Sequence, residues 1–339
     1  MKNDELLESY DYNLPQELIA LNPTIPKNSA KLLVYKRNTD EIIHSDFGRF
    51  FDFIPKDCLI VLNDTKVIKA RIFGHKKSGG KIELLYHNAL DNEKFSVQIK
   101  GKVKNGEEII FPNNLIAIVQ ECKENGIRIV KFYRDSRVLD ENLILKILDE
   151  IGSMPLPPYI KRKSNINDER LYQSVFAKNL GAIAAPTASL HFDKNALKKI
   201  KSLNHCFVTL HIGAGTFFGV ESKNIKNHKM HLESFFISED SRKKIDNNDE
   251  ILCIGTTACR CVEHYVRSKK TSGKCDIFIN PFNKPIKTRY LLTNFHLPKS
   301  TLLMLVSAFV GREKMLEIYQ NAIKNQYRFY SYGDGMLIL

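Results

Sequence analysis

The chain has 339 residues, enough for two domains or for one large domain with an insertion. Its 43% hydrophobic and 26% charged residues are those of an ordinary soluble globular protein. Lys and Arg total 51 against 38 acidic residues, and this net charge of +13 favours polyanionic partners. A lysine-rich proteome would produce the same surplus, so charge alone does not establish a nucleic-acid partner.

The sequence has no clear signal peptide, membrane segment or disulfide pattern. The first thirty residues contain four acidic side chains before position 12 and lack the basic start and apolar run of a signal peptide. The apolar part of residues 294–311 is shorter than the roughly 20 residues that span a bilayer. The seven cysteines form no C-x-x-C pair, which favours reduced structural thiols over a disulfide framework or a zinc knuckle. We expect a cytoplasmic protein without a membrane segment.

The N-terminal third begins with strands. Residues 31–36 (KLLVYK), 41–44 (EIIH) and 58–63 (CLIVLN) are predicted as short strands separated by turns. Asn63, Asp64 and Thr65 end the third strand. They are turn formers, but the carboxyl end of a buried strand is also where α/β folds bind ligands.

The middle of the chain is β-rich. From about 71 to 135, short apolar runs recur between SGG, DNE, KNG, PNN and ENG, a spacing that favours a small barrel or sandwich. Residues 139–151 are predicted as a helix, and the proline-rich GSMPLPPYIKRK after it as an extended connector.

Helices and strands alternate beyond the connector. DERLYQSVFAK is predicted as a helix capped by Asn167 or Asp168, and Asp193 is expected to cap KNALKKIKSL. Residues 206–212 and 250–255 are predicted as buried strands. This alternation predicts an α/β fold. We expect a discontinuous α/β sandwich domain from residues 1–70 and 151–339, with a small β-barrel domain inserted at 71–150.

The glycine-rich stretch HIGAGTFFG, at 211–219, follows a predicted strand. Its glycine spacing is one residue longer than the dinucleotide fingerprint, and the sequence after it is a poor helix start. A turn that lets the backbone approach a ligand and a purely structural turn are both compatible with it. An oxidoreductase with a nicotinamide site stays an alternative of low weight.

Histidines follow in NHKMHLE, at 227–233. His228 and His231 lack the matching cluster that a zinc site needs, so no metal is predicted. If MHLESFFI is a strand, His231 and Glu233 lie on one face and form a candidate acid/base pair.

Three further stretches place polar groups beside apolar ones. AAPTASLHF, at 184–192, offers Thr187 and His191 among small residues, or is a helix-cap turn. Ser300 or Thr301 is predicted to cap a buried helix that ends at Gly311, with Asn294, His296 and Lys299 before its N-terminus. YRFYSYGDGML, at 327–337, surrounds Arg328 with aromatic residues that stack on bases or simply fill a core.

Together and in this order, these stretches closely resemble the S-adenosylmethionine:tRNA ribosyltransferase-isomerase family of queuosine biosynthesis. The resemblance spans essentially the whole chain and is carried by YDYNLPQELIA (10–20), VLNDTKVIKARIFG (61–74), MPLPPYI (154–160), DERLYQSVFA (168–177), IAAPTASLHF (183–192), VTLHIGAGTF (208–217), HKMHLE (228–233), IGTTACRCVE (254–263), LLTNFHLPKSTLLMLVSAFVG (291–311) and YRFYSYGDGMLI (327–338). The β-rich insertion matches least well.

The resemblance implies a reaction. The ribosyl part of S-adenosylmethionine moves to 7-aminomethyl-7-deazaguanine at the tRNA wobble position and is rearranged, giving epoxyqueuosine-tRNA, adenine and methionine. S-adenosylmethionine is then a consumed co-substrate, and no other cofactor and no metal is implied. The partners implied are tRNA and S-adenosylmethionine, and we expect a monomer.

The chemistry and the matched motifs together select candidate residues. Proton transfer at the sugar, at the leaving adenine and at the attacking amine calls for histidines or carboxylates. The catalytic candidates are His191, His211, His231, His296, Glu233 and Asp64, and we expect Glu233 or Asp64 to orient a histidine. The substrate-binding candidates are Asn63, Thr65, Arg71, Pro186, Thr187, Gly213, Gly215, Thr216, Thr256, Thr257, Asn294, Lys299, Tyr332 and Asp334.

The basic residues are candidates for RNA contacts. These are Lys161, Arg162, Lys163 and Arg328, with the predicted helix bearing Lys194, Lys198, Lys199 and Lys201 as a second surface. A non-catalytic RNA-binding module is the third function class that charge and aromatic residues allow.

Overall fold

The computed structural model describes residues 3–124, 126–217 and 219–339. Contacts group the chain into two compact units. The first contains the chain up to Lys66 with Gln173–Asn179 and Ala185–Leu339, and the second contains Val67–Tyr172 with Leu180–Ala184. That residues 1–70 with 151–339, and 71–150, are separate domains stays a prediction.

The first half of the strands covers the N-terminal segment and most of the β-rich region. They are β1 (Lys31–Lys36), β2 (Glu41–Asp46), β3 (Leu59–Asn63), β4 (Thr65–Val67), β5 (Arg71–Lys76), β6 (Lys81–Ala89), β7 (Phe95–Lys100), β8 (Glu108–Ile110) and β9 (Ile116–Cys122). The remaining strands are β10 (Ile127–Arg134), β11 (Arg137–Val138), β12 (Asn179–Ala182), β13 (His205–Leu210), β14 (Glu233–Ile237), β15 (Ile251–Ile254), β16 (Ser272–Cys275), β17 (Tyr290–Asn294) and β18 (Gly335–Ile338).

The α-helices lie almost entirely in the C-terminal part. They are α1 (Glu141–Ile151), α2 (Ile166–Leu171), α3 (Lys194–Lys201), α4 (Glu239–Asp246), α5 (Thr256–Ser268), α6 (Thr301–Val310) and α7 (Arg312–Lys324). Within the described residues, none of these helices has both the length and the apolar character needed to cross a bilayer.

The first unit is built on a mixed sheet of nine strands. Their order is β16-β14-β13-β3-β15-β17-β18-β1-β2. β3 pairs in parallel with β13 and β15, β15 with β17, and β1 with β18, whereas the other pairs are antiparallel. Parallel pairing of buried strands with helical connections is the α/β architecture predicted from the sequence.

Both faces of this sheet are covered, which is why β3 is buried along its whole length. On one face, Ile60 and Leu62 join a core cluster with residues of α3 and of the 3-10 helix Phe47–Phe53. On the other face, α5 packs against β3, β13 and β15. Alternate residues of a strand point to opposite faces, so Val61 and Asn63 face α5.

The second unit contains a closed barrel. Strands run in the order β10-β7-β6-β5-β8-β9, and a pairing of β9 with β10 closes the circle, with β11 appended to β10. Fully buried Ile72, Leu84, Val97, Val130 and Phe132 belong to its core. The predicted α/β fold with a β-barrel is confirmed.

Local signals placed several helix ends correctly. Ser300 caps α6 by accepting a hydrogen bond from the backbone N–H of Leu303, and Gly311 ends that helix with φ 82°. Asp193 caps α3 through the N–H of Ala196. In each case a side-chain oxygen satisfies an N–H that the helix itself cannot bond.

Two predicted elements were wrong in their bounds. The helix expected over DERLYQSVFAK is the short α2, which starts before it and is capped by Asn165, with Asp168 bonding back to the Asn165 N–H. This reciprocal capping box fixes the start three residues before Asp168. The strand expected over MHLESFFI begins only at Glu233, so strand alternation does not relate His231 to Glu233.

Candidate active site

One edge of the nine-stranded sheet collects most of the candidate residues. β3, β13, β15 and β17 share one direction and end at this edge, while the antiparallel β14 and β18 begin there. Hydrogen-bond registers fix the geometry, with Leu210 opposite Phe235 and Asn294 opposite Gly335. The candidates that flank these strand ends are Asn63, Asp64, Thr65, His211, Gly213, Glu233, Thr256, Thr257, Asn294, His296 and Asp334.

Asn63 orders the centre of this edge. Its amide nitrogen donates to the Leu210 carbonyl at 3.0 Å and to Thr257 Oγ1 at 2.9 Å. Its amide oxygen accepts from the N–H groups of Thr65 and Leu210. The side chain is completely buried. Asn63 therefore ties β3, β13 and the start of α5 together.

The carboxylate of Asp64 is held by neutral donors. Thr209 Oγ1 donates to Asp64 Oδ1 at 2.6 Å, and Asn179 Nδ2 lies 3.1 Å from both carboxylate oxygens. Asp64 is buried, and its backbone carbonyl accepts from the N–H groups of Lys178 and Asn179. These contacts attach segment 178–179 to the end of β3.

Glu233 forms a buried ion pair with Arg260 of α5. Arg260 Nη1 donates to Glu233 Oε2 at 2.5 Å, and Arg260 Nε donates to the Ile277 carbonyl. Burial alone would lower the pKa of Arg260, but the charge and hydrogen bond of Glu233 raise it. The other carboxylate oxygen of Glu233 accepts from the Gly213 N–H at 3.0 Å. The pair thus anchors the glycine-rich loop after β13.

This glycine-rich loop lies close to His231. A Cβ atom on Gly215 would lie 2.3 Å from His231 Cδ2 and 2.4 Å from its Cγ, distances that no side chain tolerates. Gly215 therefore permits the backbone to pack on the imidazole ring. His211 at the start of the loop hydrogen-bonds through Nδ1 to Thr65 Oγ1 at 2.8 Å. His211 is half-buried and His231 exposed.

His296 lies at the other side of the edge, after β17. Its Nε2 hydrogen-bonds to Thr293 Oγ1 at 2.8 Å, its backbone N–H donates to Tyr319 Oη, and its carbonyl accepts from the Tyr12 hydroxyl. Burial lowers the pKa of His296 to about 3, so the ring is neutral at neutral pH.

His191 lies beside β17, at the end of the 3-10 helix Thr187–His191. Its ring stacks on Phe47 with centroids 4.4 Å apart, and Asn294 Nδ2 lies 3.4 Å from His191 Nε2. Burial, with smaller contributions from Lys27 and Arg328, lowers the pKa of His191 to about 3. Asn294 Nδ2 also donates to the Tyr330 carbonyl at 3.1 Å.

A small pocket, partly open to solvent, lies next to His191. It is lined by residues of three segments, namely Pro23, Thr24, Lys27 and Ala30, then Leu190 and His191, then Arg328, Ser331, Tyr332 and Gly333. Asp334 supports it from behind, since its carboxylate accepts from the N–H groups of Lys31 and Arg328 and lies 3.5 Å from Arg328 Nη2.

The remaining substrate-binding candidates lie in different local environments. Thr187, Thr256, Thr257 and Pro186 flank the same edge, and Thr216 follows the glycine-rich loop on the surface. Lys299 forms ion pairs with Glu8 and Asp11. Arg71 belongs to the barrel unit, where it pairs with Glu83.

The predicted basic residues differ in their environment. Lys161, Arg162 and Lys163 are all exposed, but Arg162 also makes a bidentate pair with the buried carboxylate of Asp168 at 2.6 and 2.8 Å. Lys194, Lys198, Lys199 and Lys201 are exposed on α3. Among the described residues, no cluster of three or more His, Cys, Asp or Glu side chains could hold a metal ion.

Three residues of the edge and its pocket were missed by sequence reasoning. Arg260 lies between Cys259 and Cys261 in a buried helix, and a charge in such a place needs a partner, so its sequence context is a usable signal. Lys27 and Phe47 carry no such signal, because only the fold brings them to His191.

Known proteins are similar to this chain over its whole length. The sequence model of the family described as "Queuosine biosynthesis protein" matches residues 7–338. A protein of Aliarcobacter butzleri named S-adenosylmethionine:tRNA ribosyltransferase-isomerase is 54% identical over 98% of each chain. Proteins of the same name from Helicobacter hepaticus and Campylobacter jejuni are 52% and 53% identical over 100% of this chain and 98% and 100% of theirs.

A solved structure agrees with the fold. The crystal structure of S-adenosylmethionine tRNA ribosyltransferase from Thermotoga maritima is 31% identical, with a TM-score of 0.54 over 98% of this chain and 100% of that chain. The predicted family and enzyme class are confirmed by these matches. The chain belongs to the queuosine biosynthesis protein family, as a member similar over its full length to S-adenosylmethionine:tRNA ribosyltransferase-isomerases.

Proposed function

We propose that this protein transfers the ribosyl part of S-adenosylmethionine to 7-aminomethyl-7-deazaguanine at the wobble position of tRNA. The ribose is rearranged to an epoxycyclopentanediol, and epoxyqueuosine-tRNA, adenine and methionine are formed. The observation that carries the proposal is the full-length identity of 54% with the Aliarcobacter butzleri enzyme of that name.

The candidate edge contains neutral imidazoles, the kind of group that the first step of this reaction calls for. Hydrogens next to a sulfonium are acidified, so a base near C5′ of the ribose can open the sequence of steps. His191 and His296 are neutral at neutral pH because burial lowers the pKa of each to about 3. A neutral imidazole has a lone pair to accept a proton, but a pKa of about 3 makes each ring a weak base at neutral pH.

His211 and His231 are the candidates for the remaining proton transfers. Both lie at the same sheet edge as His296, on the β13 and β14 side. Three strand spacings of about 4.8 Å separate β13 from β17, so these two strands are roughly 14 Å apart along the edge. An elongated donor such as S-adenosylmethionine, with its adenine, ribose and methionine parts, is suited to reach both.

The two carboxylates act indirectly in this proposal. Glu233 holds the backbone of Gly213, two residues after His211, and Asp64 precedes Thr65, which bonds His211. Both therefore position the loop of His211. Orientation of a histidine by Glu233 or Asp64 then runs through backbone and hydroxyl groups.

RNA contacts are proposed for the exposed lysines. Lys161, Lys163 and the four lysines of α3 present ammonium groups that can reach phosphates. Arg162 and Arg328 are proposed to contribute less charge, because each carries an acidic partner. Binding of tRNA should then weaken steeply with added salt, with Lys198→Met plus Lys201→Met flattening the slope by about two.

The substrates supply every atom and electron of the products, so the reaction calls for no redox cofactor. We propose that S-adenosylmethionine is consumed as co-substrate, that no metal is needed, and that the enzyme works as a monomer in the cytoplasm. Size-exclusion chromatography with light scattering tests the monomer, and activity after treatment with EDTA tests the independence from metal.

A labelling experiment tests the reaction. Purified protein is mixed with tRNA that carries the 7-deazaguanine precursor and with S-adenosylmethionine labelled either in the ribose or in the methyl group. The proposal requires ribose label in the RNA and release of one adenine per label. Methyl label in the RNA would refute it, and so would RNA binding without release of adenine, the result expected of a binding module.

A further inference from the structure

The charged side chains that line the pocket beside His191 are all hydrogen-bond donors. Lys27 and Arg328 line it, and no Asp or Glu is among the described residues of its lining. Thr24, Ser331 and Tyr332 also line it. A surface of this kind recognises a group rich in acceptors.

The two cations are fastened to the walls of the pocket. Lys27 Nζ donates to the carbonyl of Phe192, the residue after His191, at 3.3 Å. Arg328 donates to the Asn22 carbonyl and to Thr24 Oγ1, which attaches it to the opposite wall. Fixed donors lose little entropy when a ligand binds, so they favour affinity.

Close packing of the backbone shapes the third wall. A Cβ on Gly333 would lie 2.5 Å from the Arg328 carbonyl oxygen, so only glycine allows the chain to fold back on itself here. The Gly333 N–H donates to the Tyr330 carbonyl and the Asp334 N–H to the Arg328 carbonyl. This closed turn holds Arg328 and Tyr332 on the same pocket.

Lys27 and Arg328 bring two cationic side chains to one pocket. Asp334 lies behind the pocket and compensates one positive charge through its contact with Arg328. We propose that this pocket is an oxyanion subsite that binds one carboxylate or phosphate group between Lys27 and Arg328.

This proposal rests on the proposed function in one respect only, namely which molecule supplies the anion that binds. In that reaction the anionic groups are the carboxylate of the methionine part of S-adenosylmethionine and the phosphates of tRNA. A carboxylate would anchor the end of the donor that leaves as methionine. A phosphate would anchor the RNA backbone next to the edge where the base must enter.

Three binding measurements test the subsite on the full-length protein. Equilibrium dissociation constants are measured for inorganic phosphate, for S-adenosylmethionine and for the tRNA substrate, with wild type, Lys27→Met, Arg328→Met and Lys27→Arg. Loss of a charge-assisted hydrogen bond is expected to weaken the anion that binds there about tenfold or more, and Lys27→Arg should restore most of the affinity.

A matched control removes the same charge elsewhere. Lys244 donates to the carbonyl of His205, at the amino end of β13 and so at the opposite edge of the sheet. Lys244→Met should leave all three constants within about twofold of wild type. Thermal midpoints of all variants identify losses that come from misfolding, and Lys27→Arg keeps the test valid if Lys27→Met is unstable.

Each outcome has a defined meaning. If only the binding of S-adenosylmethionine is weakened, the bound anion is its carboxylate. If only the binding of tRNA is weakened, with a salt slope reduced by about one, the bound anion is a phosphate. Phosphate binding that depends on Lys27, in a protein that binds neither substrate, supports the subsite and contradicts the proposed function. If none of the three constants depends on Lys27 or Arg328, the subsite is refuted while the proposed function stands.

Discussion

Arg260 and Glu233 form an ion pair with 5% and 6% of each residue exposed, and this pair is linked to the loop that carries His211. Glu233 bridges Arg260 and the N–H of Gly213, so a side chain of α5 determines where the loop after β13 lies. The pair also explains how a guanidinium is accommodated beside three buried cysteines.

Removing one member of this pair should be costly. We expect Arg260→Met and Glu233→Gln each to reduce the free energy of unfolding by about 3–5 kcal/mol, because the remaining charge or amide is left buried without its partner. The double variant should lose less than the sum of the two. Urea denaturation measures both quantities.

A positioning role predicts more than lost stability. Glu233→Gln keeps an oxygen for the Gly213 N–H, so it should retain more activity than Glu233→Leu, with the pH dependence of the rate unchanged. A changed pH profile in Glu233→Gln would instead identify Glu233 as a proton-transfer group.

The packing of Gly215 on His231 gives a second prediction. Gly215→Ala introduces a Cβ within 2.3 Å of the His231 ring, so either the loop or the imidazole must move. If His231 is catalytic, the rate of adenine release should fall at least tenfold, while the thermal midpoint changes by only a few degrees. Gly219→Ala is the matched control, because its Cβ would meet no described atom within 4 Å. Equal activity of the two variants would exclude a role for the position of His231.

Acid should destabilise the protein through His191 and His296. Burial lowers the pKa of each to about 3, so the unfolded chain binds more protons than the folded chain between that value and about 6.5. The contribution of each histidine is fully present above about pH 6.5 and decreases by up to about 1.4 kcal/mol per unit as the pH falls. Urea midpoints at pH 7.5 and 5.0 measure this loss.

Between pH 7.5 and 5.0, the free energy of unfolding of His191→Gln should fall by roughly 2 kcal/mol less than that of wild type. His75→Gln removes an exposed histidine and should show the wild-type loss. An identical acid response of His191→Gln and wild type would mean that His191 is not buried in neutral form.

Variants of the basic segment 161–163 should distinguish a residue that stabilises the fold from residues that bind RNA. Arg162 pairs with Asp168 of the α2 capping box. Burial raises the pKa of Asp168, but the hydrogen bond and charge of Arg162 and the Asn165 N–H lower it overall. Stability from this pair is therefore present above the ordinary pKa of Asp, about 4, and is lost as the pH falls below it.

We expect Arg162→Met to reduce stability by about 1–3 kcal/mol. Lys161→Met and Lys163→Met should leave stability unchanged and weaken tRNA binding with a smaller salt slope. Thermal unfolding and filter binding at several salt concentrations measure the two effects. A stable Arg162→Met that binds tRNA as weakly as the lysine variants would reverse this assignment.

Local chemistry made much of the fold predictable. Strands β1 and β3 are short apolar runs between turn residues. Helix α6 directly follows its capping residue Ser300 and ends at Gly311. The helix at α2 was misjudged because two candidate caps, Asn167 and Asp168, follow the true one, Asn165, and a capping box is distinguished only by its reciprocal bonds.

The amino-acid sequence by itself determined most of the elements, the presence of a β-barrel and, through long motifs, the family. It determined them because periodicity, capping and turn chemistry act over a few residues, and motifs preserve their spacing. Only the tertiary structure decided that Glu233 bonds Arg260, that Asp64 bonds Asn179, and that Lys27 and Arg328 share one pocket. These partners are 27 to 301 positions apart in the chain. Their contacts follow from the order of strands in the sheet, which residue patterns along the chain do not encode.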